Sequence, residues 1–255
     1  VAMEMPKAKT AMALIDEMAA RHPEREALIA FDARYSWAEF RQAVRDLAKG
    51  LHAVGIRRGD KVAILMGNRP EWLIADFAIM ALGGVMVAAN TWATARELAY
   101  QLSHSETRLL ILSDRFLKRD YAKLIEEARG EEYDLSSLEH FYCLADGAPP
   151  EDMAPYADLL RLGEGVPDAE IDAAQAAVAG EDIACLLYTS GSTALPKGVL
   201  LQHFALIENM WGIGERLRVR ADDRLWLAVS LFWGLGCENA LFAVWSHGAA
   251  IVLQE

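Results

Sequence analysis

KVAILMGNRPEWLIADFAIMALGGVMVAA, residues 61–89, is the stretch on which the fold turns. Lys61 to Met66 is a short run, apolar after the lysine, and reads as a buried strand. Pro70 opens a helix, because a proline at the first helical position gives up only an N–H that would have no partner there. Gly83 ends it, and Val85 to Ala89 reads as a second strand. Leu73 to Ala89 carries a single charge, Asp76, so the segment can also be read as a membrane span. The helix–turn–strand reading is preferred, since a span normally needs about 20 apolar residues. An Asp in mid-span would also cost about 3 kcal/mol.

The same alternation continues on both sides. Ala11 to Arg21 reads as a helix. Ser36 and Glu39 have capping-box spacing, and Phe40, Val44, Leu47, Leu51 and Val54 recur at helical intervals until Gly55. Thr94 and Glu97 form a second box for a helix to about Ser105, followed by a strand at Leu109 to Leu112. Strands alternating with helices predict an α/β chain, layered, with mainly parallel sheets and flanking helices. Gly130 to Gly180, with Pro149-Pro150 and many acidic residues, reads as surface connections around one strand, Phe141 to Ala145. Beyond it come a strand at Ile183 to Leu187, an extended run Val199 to Leu201, and a helix from about Phe204 to Arg216. A strand Arg224 to Val229, a helix near Glu238 to Trp245 and a strand Ala249 to Leu253 follow. The sequence stops two residues past that strand, so a truncated domain is expected. Its unfinished, exposed surface would invite homo-oligomerisation.

Of 255 residues 53% are apolar, enough for a sizeable core. The formal charge of −12 argues against general nucleic-acid binding, which needs clustered Lys and Arg, but not against one nucleotide. Three scattered cysteines, Cys143, Cys185 and Cys237, fit a reducing compartment, and no leader-like segment opens the chain, so a cytoplasmic location is expected.

The chemistry concentrates in Tyr188-Thr-Ser-Gly-Ser-Thr-Ala-Leu-Pro-Lys-Gly198. Hydroxyls and backbone N–H groups can wrap phosphate oxygens, Gly191 permits close approach, and Lys197 supplies positive charge. The Walker pattern is excluded, because Gly191 lies six residues before Lys197 and a proline precedes the lysine. The dinucleotide fingerprint is absent; Gly212/Gly214 and Gly234/Gly236 read as turns. On chemistry alone a Ser/Gly linker and a phosphate loop both stand, and the Pro-Lys-Gly ending favours the second.

The segment resembles the signature loop of the adenylate-forming superfamily, which includes acyl-CoA synthetases. Gly198-Val-Leu-Leu-Gln-His203, Tyr35 to Phe40, Gly55 to Asn68 and Ala81 to Ile111 are similar to other parts of the same family. The resemblance implies that residues 1–255 are the N-terminal part of an AMP-binding (adenylation) domain. A first subdomain would lie mainly at 60–220 and a second would begin near 224, with the mobile C-terminal domain absent. It implies ATP, Mg2+ and coenzyme A as reactants and cofactors, and a small carboxylic acid as substrate. It assigns Thr189, Ser190, Gly191, Ser192, Thr193 and Lys197 to nucleotide binding, Lys197 to catalysis and Thr189 to the metal. The family's later motifs would be missing, so residues 1–255 are not expected to complete the reaction alone. Ala194 stands where the family has glycine; a positive φ there would cost about 1 kcal/mol.

Ser230-Leu-Phe-Trp-Gly-Leu-Gly236 resembles the family's substrate-pocket motif. Phe232 and Trp233 would then sit at the acyl end, the rival reading being that Trp233 is core. Amino-acid-activating relatives carry an aspartate at the position of Trp233, so the resemblance implies a fatty or related non-amino acid. His203 is read either as orienting substrate or as a structural hydrogen bonder. His22, His52, His104, His140 and His247 show no metal-ligand spacing, and Trp72, Trp92, Trp211, Trp226 and Trp245 are expected in the core. Two rival functions remain: a phosphotransferase using the same loop, and a nucleotide-binding module without catalysis.

Overall fold

The computed structural model describes residues 4–31, 33–189 and 195–254. Helix α1 (Ala11–Arg21) starts at Thr10, whose side chain accepts the Ala13 N–H. Strands β1 (Glu26–Ala30) and β2 (Ala33–Ser36) form an antiparallel pair. Helix α2 (Trp37–Ala53) opens on the predicted box: Ser36 Oγ accepts from Glu39 N–H at 3.2 Å and Glu39 Oε2 accepts from Ser36 N–H at 2.8 Å. Then β3 (Lys61–Leu65), α3 (Pro70–Ala81), β4 (Val85–Ala88), α4 (Ala95–His104) and β5 (Thr107–Ser113) alternate. Gly83 stops α3 in the left-handed region at φ +69°, which glycine enters without a Cβ clash. Thr94 and Glu97 close the second box. No helix among the described residues is long and apolar enough to cross a membrane.

A small hairpin, β6 (Arg115–Phe116) with β7 (Arg119–Asp120), leads into α5 (Tyr121–Arg129). Strands β8 (His140–Leu144) and β9 (Ala154–Pro155) are followed by α6 (Tyr156–Gly163) and α7 (Asp168–Ala176). These two helices correct the reading of residues 130–180 as surface connections. Pro155 and Pro167 are the N-caps of α6 and α7. Short helices draw their stability from packing more than from propensity. Here α6 lies so close to α2 that a Cβ on Gly50 would stand 2.1 Å from the Leu159 carbonyl oxygen.

The chain closes with β10 (Ile183–Thr189), β11 (Lys197–Gln202), α8 (His203–Leu217), β12 (Arg224–Leu227), a π-helix (Leu235–Ala240) running into α9 (Leu241–Trp245), and β13 (Ala250–Leu253). Seven strands form one sheet in the order β11-β10-β4-β3-β5-β8-β9, antiparallel only at the β10–β11 edge. A four-stranded sheet, β12-β13-β1-β2, joins the two ends of the chain, with Leu28 opposite Ile251. The mainly parallel, layered α/β architecture is therefore present. Gly212 and Gly214 lie inside α8 and not in a turn, Gly214 pressing against His247.

Helices α1, α2, α3, α8 and α9 contribute to one large core, and α4 and α5 cover the opposite face of the seven-stranded sheet. At the centre of the large core the Trp245 ring lies 4.8 Å from Phe40, 5.2 Å from Phe77 and 5.4 Å from Trp37. Trp92 and Trp226, expected in the core, are 52% and 66% exposed, because each stands on an outer face.

Asn68, 4% exposed, links the sheets. Its Nδ2 donates to the carbonyls of Val229 at 3.0 Å and Gln254 at 2.9 Å, and its Oδ1 accepts from Leu231 N–H at 2.8 Å. Asn68→Ala leaves these groups without their partner, at about 1–3 kcal/mol for each buried one. The urea midpoint is expected to fall accordingly; a midpoint equal to wild type would contradict the linking role.

Candidate active site

Strands β10 and β11 flank residues 190–196, with Thr189 directly opposite Lys197. Both are exposed, and Lys197 has no ion pair among the described residues. Ser190, Gly191, Ser192, Thr193 and Ala194 lie outside the described residues. The ends of the loop are braced by α4. Tyr100 Oη donates to the Pro196 carbonyl at 3.0 Å. Tyr188 Oη donates to the Gln101 carbonyl at 3.2 Å and lies 2.9 Å from His104 Nδ1. Burial pushes the Tyr188 phenol up, so it stays protonated and able to donate. The capping box that starts α4 thus also sets where the loop begins and ends.

A cavity of 100 Å³ opens at this corner, lined by Asn90, Glu97, Tyr188, Thr189, Pro196 and Trp233 among others. It lies where β4 and β10 end, the edge of a parallel sheet at which open α/β folds bind ligands. Phe232 is buried and Trp233 is 46% exposed, their rings 4.8 Å apart, and both line the cavity. Trp233 is therefore not a core residue. The structure brings Thr189, Phe232 and Trp233 to one place, with Lys197 paired to Thr189.

His203 stands elsewhere, at the far end of β11 from Lys197. It is fully buried, and its Nδ1 accepts the Ala11 N–H at 3.2 Å, tying α8 to α1. Burial pushes it down to about 4, so the ring is neutral, and its Nε2 has no hydrogen-bond partner among the described residues.

The π-helix that follows carries Glu238, 6% exposed, whose Oε1 accepts from the Cys185 thiol at 3.2 Å. Asp76 of α3 faces the same interior, and its Oδ1 has no hydrogen-bond partner among the described residues. Burial pushes Glu238 up to about 7, and burial and then the Glu238 charge push Asp76 well above the carboxylate range. Sequence reading missed Asn68, Tyr100, His104 and Glu238 as parts of this region. The spacing of Tyr100 and His104 on one face of a capped helix was the available signal.

The AMP-binding enzyme family matches residues 15–255, and the chain belongs to it. It is 33% identical over 227 residues to a crotonobetaine/carnitine–CoA ligase of Escherichia coli, covering 87% of this chain and 41% of that protein. It is 30% identical over 227 residues to the acyl-CoA ligase sidI of Aspergillus fumigatus, covering 88% and 38%. Its structure is similar to that of the anthranilate CoA ligase AuaEII in complex with anthranoyl-AMP, with a TM-score of 0.81 at 28% identity, covering 99% of this chain and 46% of that one. The chain spans less than half the length of these relatives.

The buried carboxyl gives a pH signature. Glu238 ordinarily titrates at 4.5 and in the fold at about 7, so between these values the native state holds the proton that the unfolded chain has lost. Stability contributed by this group is whole below about 4.5 and falls as pH rises through about 7. Asp76 acts in the same direction. Glu238→Gln removes the titration, so its stability relative to wild type should rise by about 3 kcal/mol between pH 4.5 and pH 8. Urea midpoints measured across that range check this; parallel curves would contradict it.

Proposed function

We propose that the chain supplies the phosphate loop and the acyl end of an acyl-CoA ligase acting on a fatty or related non-amino carboxylic acid. The substrate carboxylate oxygen attacks the α-phosphorus of ATP, the bond to the bridging oxygen breaks, and pyrophosphate leaves with its electron pair. The sulfur of coenzyme A then attacks the acyl carbon of the adenylate, AMP departs, and the thiol proton passes to solvent. The observation that carries this reading is the meeting of Thr189 and Trp233 at one cavity, with Lys197 across from Thr189. The relatives named above support it.

Ser190, Gly191, Ser192 and Thr193 are proposed to hold the phosphates through hydroxyl and N–H donors, and Lys197 to offset their charge. Thr189 fits Mg2+ in kind, since it presents a hydroxyl oxygen at the exposed end of β10 and Mg2+ takes hard oxygen ligands. That ion, when bound, supplies charge for the phosphate oxygens. Phe232 and Trp233 shape the acyl end. His203 acts on the site only by fixing α8 against α1.

Lys197→Ala in the complete gene product is expected to reduce pyrophosphate release at subsaturating ATP by roughly ten- to a hundred-fold, the loss of one charge-assisted hydrogen bond. Its circular dichroism should match wild type. An unchanged rate would remove Lys197 from the site.

Trp233→Ala is expected to shift the preference among acids of different length by roughly ten-fold or more, while the apparent ATP affinity changes less. An unaltered acid profile with a lowered melting temperature would return Trp233 to a packing role.

A further inference from the structure

A cavity of 470 Å³ lies between α2, α3 and α6 and shares no lining residue with the cavity at Thr189 and Trp233. Its size is that of a small-molecule site, about 300–1,000 Å³. A close helix contact builds it. Gly163 ends α6 against α2, where a Cβ would stand 2.7 Å from Gly50 N and 3.0 Å from the Asp46 carbonyl oxygen. Tyr156 and Leu160 share one face of α6, four residues apart, and Ala43 and Asp46 share one face of α2. Tyr35 of β2 and Glu71 and Ile74 of α3 line it from the other elements.

The polar groups in this lining are short of partners. Tyr156 is 7% exposed, and its Oη has no hydrogen-bond partner among the described residues; nor has the Oη of Tyr35. A buried phenol hydroxyl usually finds one. Burial, and then the Glu71 charge, push both phenols up, so they keep their protons at neutral pH. Glu71 Oε2 accepts from Arg69 Nε at 2.9 Å, but its Oε1 has no hydrogen bond among the described residues. The lining carries three carboxylates, Asp46, Glu71 and Glu164, against one ammonium, Lys49, which already lies 2.8 Å from Asp168. Asp46 accepts from Gln42 at 2.8 Å, whereas Glu164 has no ion pair among the described residues.

We propose that this cavity is a second binding site, for a small primary ammonium compound with an apolar body. The ammonium group brings three donors and no acceptor. Tyr35 Oη, Tyr156 Oη and Glu71 Oε1 are the acceptors that meet them, and the body lies against Ile74 and Leu160. The surplus of carboxylates selects a cation over an anion of the same shape, and over a neutral analogue. None of this rests on the ligase reading, since no residue of the phosphate loop or of the Phe232–Trp233 segment takes part.

The test uses the complete gene product and two matched pairs, hexylamine with 1-hexanol and 2-phenylethylamine with 2-phenylethanol. At about pH 7 the amines are cations and the alcohols neutral. Binding is measured by isothermal titration calorimetry, and melting without ligand confirms that each variant is folded. Wild type is expected to bind at least one amine more tightly than its alcohol. Glu71→Gln should weaken that amine by roughly ten- to a hundred-fold and Tyr156→Phe by roughly ten-fold, each the loss of one hydrogen-bond acceptor. Leu160→Trp, at a residue 39% exposed, should block the amine by filling the cavity without disturbing the core. Lys197→Ala should leave amine affinity unchanged, which separates this site from the loop. Failure of either amine to bind wild type, equal affinity for amine and alcohol, or amine affinity unchanged in Glu71→Gln, Tyr156→Phe or Leu160→Trp overturns the inference. Pyrophosphate release assayed on the same proteins reports on the ligase reading separately.

Discussion

The three hydrogen bonds of Asn68 tie the two sheets to one another, and the geometry of the candidate site depends on them. Asn68 follows β3 in the middle of the seven-stranded sheet, and its partners Val229, Leu231 and Gln254 follow the strands of the four-stranded sheet. One amide side chain therefore sets where the Phe232–Trp233 loop begins relative to β10. An asparagine suits the task because it offers two donors and an acceptor in one plane, and the groups it meets would otherwise be buried unpaired. The aromatic packing of Phe40, Phe77 and Trp245 supplies the bulk of the contact; it is non-directional and fixes no register by itself.

From that junction the site is built by two supports. Helix α4 holds the two ends of the β10–β11 connection from one side through Tyr100, Gln101 and His104. The π-helix follows the Phe232–Trp233 segment on the other side and carries the buried Glu238. Lys197 is exposed at the end of β11, whereas Glu238 and Asp76 are buried.

Much of this architecture is legible from local sequence. The two capping boxes, Pro70 and Gly83 fixed their helices within a residue or two, since each acts through neighbours three or four positions away. Strands β3, β4, β5 and β10 stood out as short apolar runs because both of their faces are covered. What local pattern could not show is contact between distant segments. Strand β1 pairs with β13 across nearly the whole chain, and α6 exists because Gly50 lets it approach α2. Trp92 and Trp226 misled for the same reason: hydrophobicity alone does not say which face of an element remains open. The family was readable from residues 188–198, and Thr189, Phe232 and Trp233 do line one cavity. Glu238 gave no signal, because a glutamate in an apolar helical stretch looks like a solvated position until its burial is seen.

The central claim is that nucleotide and carboxylic acid meet at the corner between Thr189, Lys197 and Trp233. Exchange of labelled pyrophosphate into ATP by the complete gene product, measured with and without added acid, addresses it most directly. The account predicts exchange that requires both Mg2+ and an acid and that falls in Lys197→Ala. Release of ADP in place of pyrophosphate, or exchange indifferent to acid, would contradict it.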